Sequence, residues 1–216
     1  MPKVLKNPLE YLLNLLHKKG TRIVIGLAGL PGSGKTTLTQ KWEVKINLQA
    51  GPGVAKALSM DGFHLTKSQL FQMSEPEQAL ARRGAHWTFD AAEFAQKVRG
   101  LKAAGPNQSV YWPAFEHEIG DPVEGAIEVP PACRLVLVEG LYLLYRAGEW
   151  QALKGAFDEI WYLDTPMETS MARLIARHQQ AWDFTEAQAR HRVESNDYKN
   201  ALLVQSTRTE ADWLIL

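Results

Sequence analysis

The most informative part of this 216-residue chain is an octapeptide, Gly29-Leu30-Pro31-Gly32-Ser33-Gly34-Lys35-Thr36, which fits the pattern G-x-x-x-x-G-K-[ST]. An apolar, β-branched run at 22–28 precedes it, and a helix-compatible stretch at 37–48 follows it. A strand, a glycine-rich turn and a helix N-terminus in this order form a phosphate cradle, because backbone amides and the positive end of the helix dipole point at the same place. The pattern therefore predicts that the chain binds a nucleoside triphosphate.

The residues of this octapeptide, called the phosphate loop below, have separate expected roles. The glycines leave room for the backbone to approach the phosphates closely. The Lys35 ammonium is expected to reach the β- and γ-phosphate oxygens, and the Thr36 hydroxyl is expected to bind Mg²⁺. The predicted nucleotide-binding residues are Gly29, Leu30, Pro31, Gly32, Ser33, Gly34, Lys35, Thr36 and Thr37.

Composition and charge narrow the class of protein. With 45% apolar residues, residues 1–216 are expected to form one domain. Because 24 basic side chains balance 24 acidic ones, no net electrostatic field is expected to attract nucleic acid. The single Cys133 fits a reducing compartment and is interpreted as a packing residue, not a nucleophile. No apolar run approaches the ~20 residues of a membrane span. The leucine-rich segment 8–19 is predicted to be a docked amphipathic helix, and the protein to be cytoplasmic with no membrane partner.

Strand-like runs alternate with helical stretches, which is typical of βαβ units and a parallel sheet. The predicted strands are Arg22–Ala28, Val54–Met60, Ser109–Trp112, Leu135–Val138, Ile160–Leu163 and Trp213–Leu216. Capping boxes at Thr165–Glu168 and Thr185–Gln188 predict helices reaching about Gln180 and Lys199. The residues between these helices suit the hinge of a lid, placed at about 173–195.

Two predicted strands deliver a carboxylate at their carboxyl ends, where ligands bind in open α/β sheets. Asp61 is interpreted as the base that accepts a proton from an attacking hydroxyl, against the alternative of a turn-capping aspartate. Glu139 follows a continuously apolar run and is interpreted as a Mg²⁺ ligand, against a surface glutamate before a turn. His64, three residues after Asp61, either contacts the substrate or packs.

Two arginines share one face of the first predicted lid helix. Arg173 and Arg177 are four residues apart, so both guanidinium groups are expected to neutralise charge on the triphosphate during transfer. Arg190 and Arg192 on the next helix are alternatives for the same role, and solvated arginines are the non-functional interpretation of all four.

Two segments mix aromatic, charged and glycine or proline residues, as the walls of small-molecule pockets do. They are Arg82–Asp90 and Tyr111–Glu118, and their candidate substrate contacts are Arg83, Tyr111 and His117. The alternatives are that both segments are structured loops and that Asp90 is the N-cap of a helix from Ala91.

Taken in order, these motifs resemble the superfamily of uridine kinase, pantothenate kinase and phosphoribulokinase. The likeness covers residues 20 to 216 and is greatest to its pantothenate-kinase-like branch of nucleoside/nucleotide and fructose-kinase-like proteins. It is carried by the phosphate loop and by Met60-Asp61-Gly62-Phe63-His64-Leu65, Arg82-Arg83-Gly84-Ala85, Thr88-Phe89-Asp90, Val138-Glu139-Gly140-Leu141 and Asn196-Asp197 with Asn200. Met60 stands where uridine kinases carry an acid.

The resemblance implies a P-loop NTPase three-layer sandwich with a parallel five-stranded sheet, helices on both faces and a helical lid. It also implies transfer of the ATP γ-phosphate to a hydroxyl of a small metabolite such as pantothenate, a nucleoside, a sugar or glycerate, with Asp61 as base. Members of the superfamily often form homodimers. The alternative from another class is a nucleotide-hydrolysing switch or a nucleotide-binding protein without an acceptor; against a GTPase, the chain has no Asn-Lys-x-Asp tetrapeptide.

Overall fold

The computed structural model describes residues 2–18, 21–105, 107–116 and 118–216. Within these residues, six parallel strands form one sheet in the order β1-β8-β7-β2-β6-β3, and two further strands form an antiparallel hairpin. The strands are β1 Lys3–Val4, β2 Ile23–Gly29, β3 Ala55–Ser59, β4 Val110–Glu116, β5 Asp121–Val129, β6 Leu135–Gly140, β7 Glu159–Leu163 and β8 Trp213–Ile215.

Helices cover both faces of the sheet. They are α1 Pro8–Lys18, α2 Lys35–Ala50, α3 Lys67–Phe71, α4 Pro76–Ala81, α5 Ala91–Ala103, α6 Met167–Trp182, α7 Glu186–Arg192 and α8 Tyr198–Ser206. Four 3₁₀ helices are described at Met60–Phe63, His86–Thr88, Gly148–Leu153 and Arg208–Glu210, with a π-helix at Val193–Asp197. This arrangement confirms the predicted three-layer α/β fold.

The two faces of β2 belong to two separate apolar cores, which explains why the strand is buried throughout. Ile23, Ile25 and Leu27 pack with α1 and α2 in one core, whereas Val24 and Ala28 pack with α5 and α8 in the other. Strand β6, which pairs with β2 and β3, divides its side chains between the cores in the same way. The predicted apolar strand is therefore central and covered on both faces.

Two details of the predicted sheet are wrong. Within the described residues the sheet has six strands and not five, because Lys3 and Val4 pair with β8 and add an edge strand. The segment predicted as the strand Ser109–Trp112 is a strand, but it lies outside the sheet and pairs antiparallel with β5. Only four residues separate β4 from β5, and a parallel connection needs a dozen or more.

The two predicted capping boxes have different outcomes. At Thr185 the box is present, because its hydroxyl accepts from the Gln188 amide and the Gln188 side chain accepts from the Thr185 amide. At Thr165 the prediction is wrong: Pro166 is the N-cap of α6, and the Thr165 hydroxyl donates to the Ser33 carbonyl in the phosphate loop at 3.1 Å. The helix that begins after Thr185 runs through the π-helix and on to Ser206, past the expected end at Lys199.

Helix α1 lies on the sheet with Leu12 and Leu16 buried, as the amphipathic pattern predicts. Among the described residues, no helix is both long enough and apolar enough to span a membrane. Cys133 is also buried, and burial raises the pKa of its thiol to about 11. A thiol with so high a pKa carries little thiolate at neutral pH, which agrees with its interpretation as a packing residue.

The hairpin approaches the 3₁₀ helix Met60–Phe63 so closely that only glycine fits at position 62. A Cβ atom there would lie 2.2 Å from the carbonyl oxygen of Pro113 in β4. Nearby, the Trp112 indole donates to the Ser59 carbonyl at 2.9 Å. These contacts fix the hairpin against the segment that carries Asp61.

We expect Gly62→Ala to destabilise the protein by about 1–3 kcal/mol, because the added methyl group overpacks a backbone contact. The matched control is Gly100→Ala in α5, where a Cβ would meet nothing within 4 Å and a gain of about 0.5–1 kcal/mol is expected. Urea unfolding followed by circular dichroism measures both values. An unchanged unfolding midpoint in Gly62→Ala would contradict the close approach.

Candidate active site

The phosphate loop connects β2 to α2 in a conformation that depends on its glycines. Gly32 and Gly34 have φ angles of 76° and 99°, in the region that favours glycine. A Cβ on Gly32 would lie 2.5 Å from the Ser170 carbonyl, so α6 packs directly on the loop. The hydroxyl of Ser33 is buried without a hydrogen-bond partner among the described residues. Sequence and structure thus agree on a tight backbone turn at the start of a helix.

Lys35 and Glu139 are buried next to each other at the carboxyl edge of the sheet. The Lys35 ammonium donates to the carbonyls of Gly29 and Leu30 at 3.0 and 2.9 Å. The Thr36 hydroxyl donates to Glu139 Oε1 at 2.9 Å. The first turn of α2 and the end of β6 therefore meet through one carboxylate.

Asp61 lies beside this pair, one residue into the 3₁₀ helix that follows β3. The sheet register pairs Ser59 with Glu139, so β3 and β6 end at the same level. The Ser59 hydroxyl accepts the Asp61 amide at 3.1 Å, and a hydrogen bond joins the Ser59 side chain to the Glu139 carboxylate. Sequence reasoning missed Ser59, although its place two residues before Asp61 is the available signal.

The charges in this cluster perturb one another. Burial lowers the pKa of Lys35, while Glu139 and Asp61 oppose that shift. Burial raises the pKa of Glu139 and Asp61 adds to the rise, against the attraction of Lys35 and the hydrogen bonds from Ser59 and Thr36. Asp61 itself is exposed, so it is open to solvent and to a ligand while its charge acts on both buried groups.

His64 lies between two aromatic rings close to Asp61. Its ring centroid is 4.0 Å from that of Phe89 and 5.0 Å from that of Phe115. His64 Nδ1 donates to the backbone carbonyl of Asp61 at 2.8 Å, since a carbonyl can only accept. Both interpretations of His64 stay open, because it packs and also lies beside the predicted base.

Arg83 contacts the wall that the His64, Phe89 and Phe115 rings form beside Asp61. Its guanidinium lies 5.2 Å from the centre of the Phe115 ring and forms an ion pair with Asp121 at 2.7 Å. The backbone of the following Gly84 accepts from the Tyr142 hydroxyl at 2.7 Å.

The segment 82–85 is also clamped by the helix that follows α7. Arg82 donates to the Ser195 and Asn196 carbonyls and to Asn200 Oδ1. The Asn196 side-chain amide donates to the Arg83 carbonyl at 3.1 Å. The paired sequence motifs at 82–85 and 196–200 are thus in contact.

Of the two arginines predicted on α6, Arg173 contacts the phosphate loop. Its guanidinium donates to the Ser33 carbonyl at 3.1 Å, and the residue is otherwise exposed. Arg177 is exposed on the same face, and its charge helps to lower the pKa of Lys35. The alternatives have other partners: Arg190 pairs with Glu186, and Arg192 donates to the Ala81 carbonyl.

One predicted substrate contact lies outside this cluster, and another cannot be placed. Tyr111 is 54% exposed at the base of the hairpin, where it lines a surface cavity with the end of α5. His117 falls outside the described residues. The structure therefore brings together Lys35, Thr36, Asp61, His64, Arg83, Glu139, Arg173 and Arg177, and leaves Tyr111 apart.

A parallel sheet, a phosphate loop and an acidic neighbouring strand end define a P-loop nucleotide-binding fold. The sequence model of the Phosphoribulokinase / Uridine kinase family matches residues 24–211, and the chain belongs to that family. A protein of Schizosaccharomyces pombe named "putative uridine kinase" is 38% identical over 200 residues, which cover 91% of this chain and 84% of that protein.

Solved structures agree with this assignment. The crystal structure of a "putative fructose transport system kinase" from Silicibacter sp. TM1040 is 32% identical, with a TM-score of 0.82 over 96% of this chain and 98% of that chain. YFH7 from Saccharomyces cerevisiae has a TM-score of 0.84 over 96% of each chain at 20% identity, which shows the shared fold.

We expect Lys35→Met to make stability depend steeply on pH, because it leaves Glu139 buried without its cation. A carboxyl whose folded pKa lies above its unfolded value binds more protons when folded, so stability is lost as the pH rises through the folded pKa. The expected loss relative to the wild type is about 3–5 kcal/mol at neutral pH and smaller at pH 5. Urea unfolding between pH 5 and 8 measures it.

The matched variant for this experiment is Lys35→Met/Glu139→Gln, in which the buried charge is absent at every pH. Between pH 5 and 8, its free energy of unfolding is expected to change by the same amount as that of the wild type, or by less. If the free energies of unfolding of Lys35→Met and the wild type changed equally with pH, this result would contradict the burial of an ionised Glu139.

Proposed function

We propose that the chain transfers the γ-phosphate of Mg-ATP to a hydroxyl group of a small metabolite. The observation that carries this proposal is the position of Asp61: an exposed carboxylate whose charge acts on both Lys35 and Glu139. A base in this position lies at the phosphate end of the site, and its exposure leaves room for an acceptor hydroxyl.

The residues of the site fit Mg-ATP. A hydroxyl and a carboxylate, Thr36 and Glu139, form a hard oxygen pair at the end of the phosphate loop. No group of three or more His, Cys, Asp or Glu side chains suited to a metal occurs among the described residues. This agrees with Mg²⁺, which is usually held by one or two carboxylates, several waters and substrate phosphates. When bound, the metal would neutralise charge on the phosphate oxygens.

The proposed reaction needs positioning and charge neutralisation more than covalent help. The acceptor oxygen forms a bond to the γ-phosphorus, the bond from that phosphorus to the β–γ bridging oxygen breaks, and the hydroxyl proton moves to the Asp61 carboxylate. Lys35 contacts the phosphate oxygens, with Arg173 and Arg177 opposing the charge that develops on them.

The identity of the acceptor is open between several primary alcohols. The relatives carry the names of a uridine kinase and a fructose transport system kinase, so a nucleoside and a sugar are both in the tested set, with pantothenate and glycerate. His64, Tyr111 and His117 remain the proposed substrate contacts, and Thr37 with the phosphate loop the proposed nucleotide contacts.

The setting of this activity is also proposed. We infer a single-domain, cytoplasmic enzyme with a helical lid at about 173–195 that works without a nucleic-acid or membrane partner. Dimer formation is proposed from the family resemblance alone, and analytical ultracentrifugation tests it.

We expect ADP release from Mg-ATP to depend on one class of acceptor in a panel of uridine, D-fructose, pantothenate and D-glycerate. In Asp61→Asn this turnover should fall by about 10²–10⁴-fold while nucleotide binding is kept, because only the positioned base is lost. A coupled assay and calorimetry with ADP measure the two quantities. ADP release that is indifferent to every acceptor, and equal in the variant, would favour a nucleotide-hydrolysing switch.

Arg173→Ala is expected to lower kcat more than it weakens nucleotide binding, since the guanidinium lies over the phosphate loop and opposes charge that develops during transfer. Arg190→Ala, whose guanidinium already pairs with Glu186 on the surface, is the comparison and should change either quantity little. Steady-state kinetics with calorimetry separates the effects. A larger loss in Arg190→Ala would move charge neutralisation to α7.

A further inference from the structure

We propose that Arg83 is a positioning residue for Asp61, acting through Phe115 and His64, and that it does not bind the acceptor. The proposal rests on the proposed function, because it assigns Asp61 as the base. It revises the sequence-based expectation that Arg83 contacts the substrate.

The Arg83 guanidinium is committed to the protein. Its Nη1 donates to the Gly120 carbonyl at 2.5 Å, and its Nη2 donates to the Leu65 carbonyl at 2.8 Å and to Asp121 Oδ1 at 2.7 Å. Only 15% of the side chain is exposed. The Nε atom has no hydrogen-bond partner among the described residues, but it is buried. An acceptor could therefore reach the guanidinium only if the surrounding packing opened or these charge-assisted hydrogen bonds broke.

Asp121, the anionic partner, is fixed in turn. It accepts the Lys67 backbone amide at 2.8 Å in addition to the arginine. Burial raises the pKa of Asp121, but the hydrogen bonds from Lys67 and Arg83 outweigh that effect and bring the pKa below its usual value. The carboxylate therefore stays ionised and holds the guanidinium in one orientation.

A continuous set of contacts leads from this guanidinium to the predicted base. The guanidinium carbon lies 5.2 Å from the Phe115 ring centre, and the Phe115 and His64 rings are 5.0 Å apart. His64 Nδ1 donates to the Asp61 carbonyl at 2.8 Å. A displacement of Phe115 thus changes the support of the His64 ring, and with it the backbone that sets the Asp61 side chain.

The backbone of Arg83 is anchored from the opposite side. Its carbonyl accepts the Asn196 side-chain amide at 3.1 Å and Arg192 Nη2 at 3.5 Å, both from the helix that follows the lid hinge. Arg83 therefore joins the base of the lid to the wall beside Asp61. A lysine in its place has one compact ammonium, which cannot reproduce both the fork of hydrogen bonds and the flat contact with Phe115.

The test compares Arg83→Lys with a matched control, Arg22→Lys. Arg22 also donates from its guanidinium to three backbone carbonyls, those of Cys133, Leu101 and Pro130, but it precedes β2 at the end of the strand opposite the phosphate loop. Both variants lose a comparable structural arginine. The first readout is the His64 ring resonances in the ligand-free protein, assigned with His64→Asn. The second is the separation of kcat from acceptor KM with whichever acceptor in the panel supports turnover.

The expected result for Arg83→Lys is a shift of the His64 resonances and a fall in kcat of about 10- to 10²-fold with acceptor KM changed less than about twofold, as for a small misplacement of a catalytic group. Arg22→Lys should leave both readouts unchanged. Phe115→Leu should reproduce the effect, and Arg83→Lys/Phe115→Leu should be no worse than either single variant, because both changes act on one path.

Two results would overturn the proposal. One is an acceptor KM that rises in Arg83→Lys with kcat unchanged. The other is a set of His64 resonances that do not move in either Arg83→Lys or Phe115→Leu. The spectra need no acceptor, so a chain that turns over none of the panel would contradict the proposed function while the spectra still decide whether Arg83 positions this wall. If Arg83→Lys does not fold, Phe115→Leu alone carries both readouts.

Discussion

The joint burial of Lys35 and Glu139 is the constraint on which the rest of the site depends. Each charge is buried, and burial alone disfavours both, so each is tolerable only while the other lies beside it. That requirement fixes the start of α2 against the end of β6, and it holds only if β2 and β6 end level with each other. Thr36 and Ser59 then complete the hydrogen bonding of the Glu139 carboxylate. A site built on such a pair is ordered before any ligand binds, at the cost of a tight dependence on the packing around it.

Around this pair, neighbouring parts of the backbone approach each other closely at two glycines. Gly32 lets α6 rest on the phosphate loop, and Gly62 lets the hairpin rest on the 3₁₀ helix that carries Asp61. Aromatic rings fill the remaining space: Phe63 packs edge-to-face on both Phe94 and Trp112, with ring centres 5.0 and 4.9 Å apart. Rigid rings hold position at a small cost in side-chain entropy, so these side chains keep the surface beside Asp61 in one shape.

Features of the fold and the site that depend on a local pattern of residues could be predicted from the sequence. The phosphate loop, the acidic ends of β3 and β6, the buried strands and the capping box at Thr185 each follow from spacing and side-chain chemistry over a few residues. Features that depend on contacts between residues far apart in the chain could not be predicted in this way. Thr165 has the spacing of a capping box, yet its hydroxyl bonds Ser33, more than a hundred residues earlier. The pairing of β4 with β5 and the bonds of Arg83 to Gly120 and Asp121 are likewise set by the folded chain.

The π-helix at Val193–Asp197 has a consequence for the phase of the helix in which it lies. From Glu186 to Ser206 the chain is helical without interruption, and the wider turn in the middle accommodates one extra residue. In a 3.6-residue helix one residue corresponds to a rotation of about 100°. The extra residue therefore allows Ala189 to be buried in the first half of the helix while Ala201 and Val204 face the core in the second. Asn196, in the turn between them, still reaches the Arg83 carbonyl. Removing one residue here would rotate one half of the helix relative to the other. The number of residues in this turn is therefore fixed by geometry, whatever their side chains are.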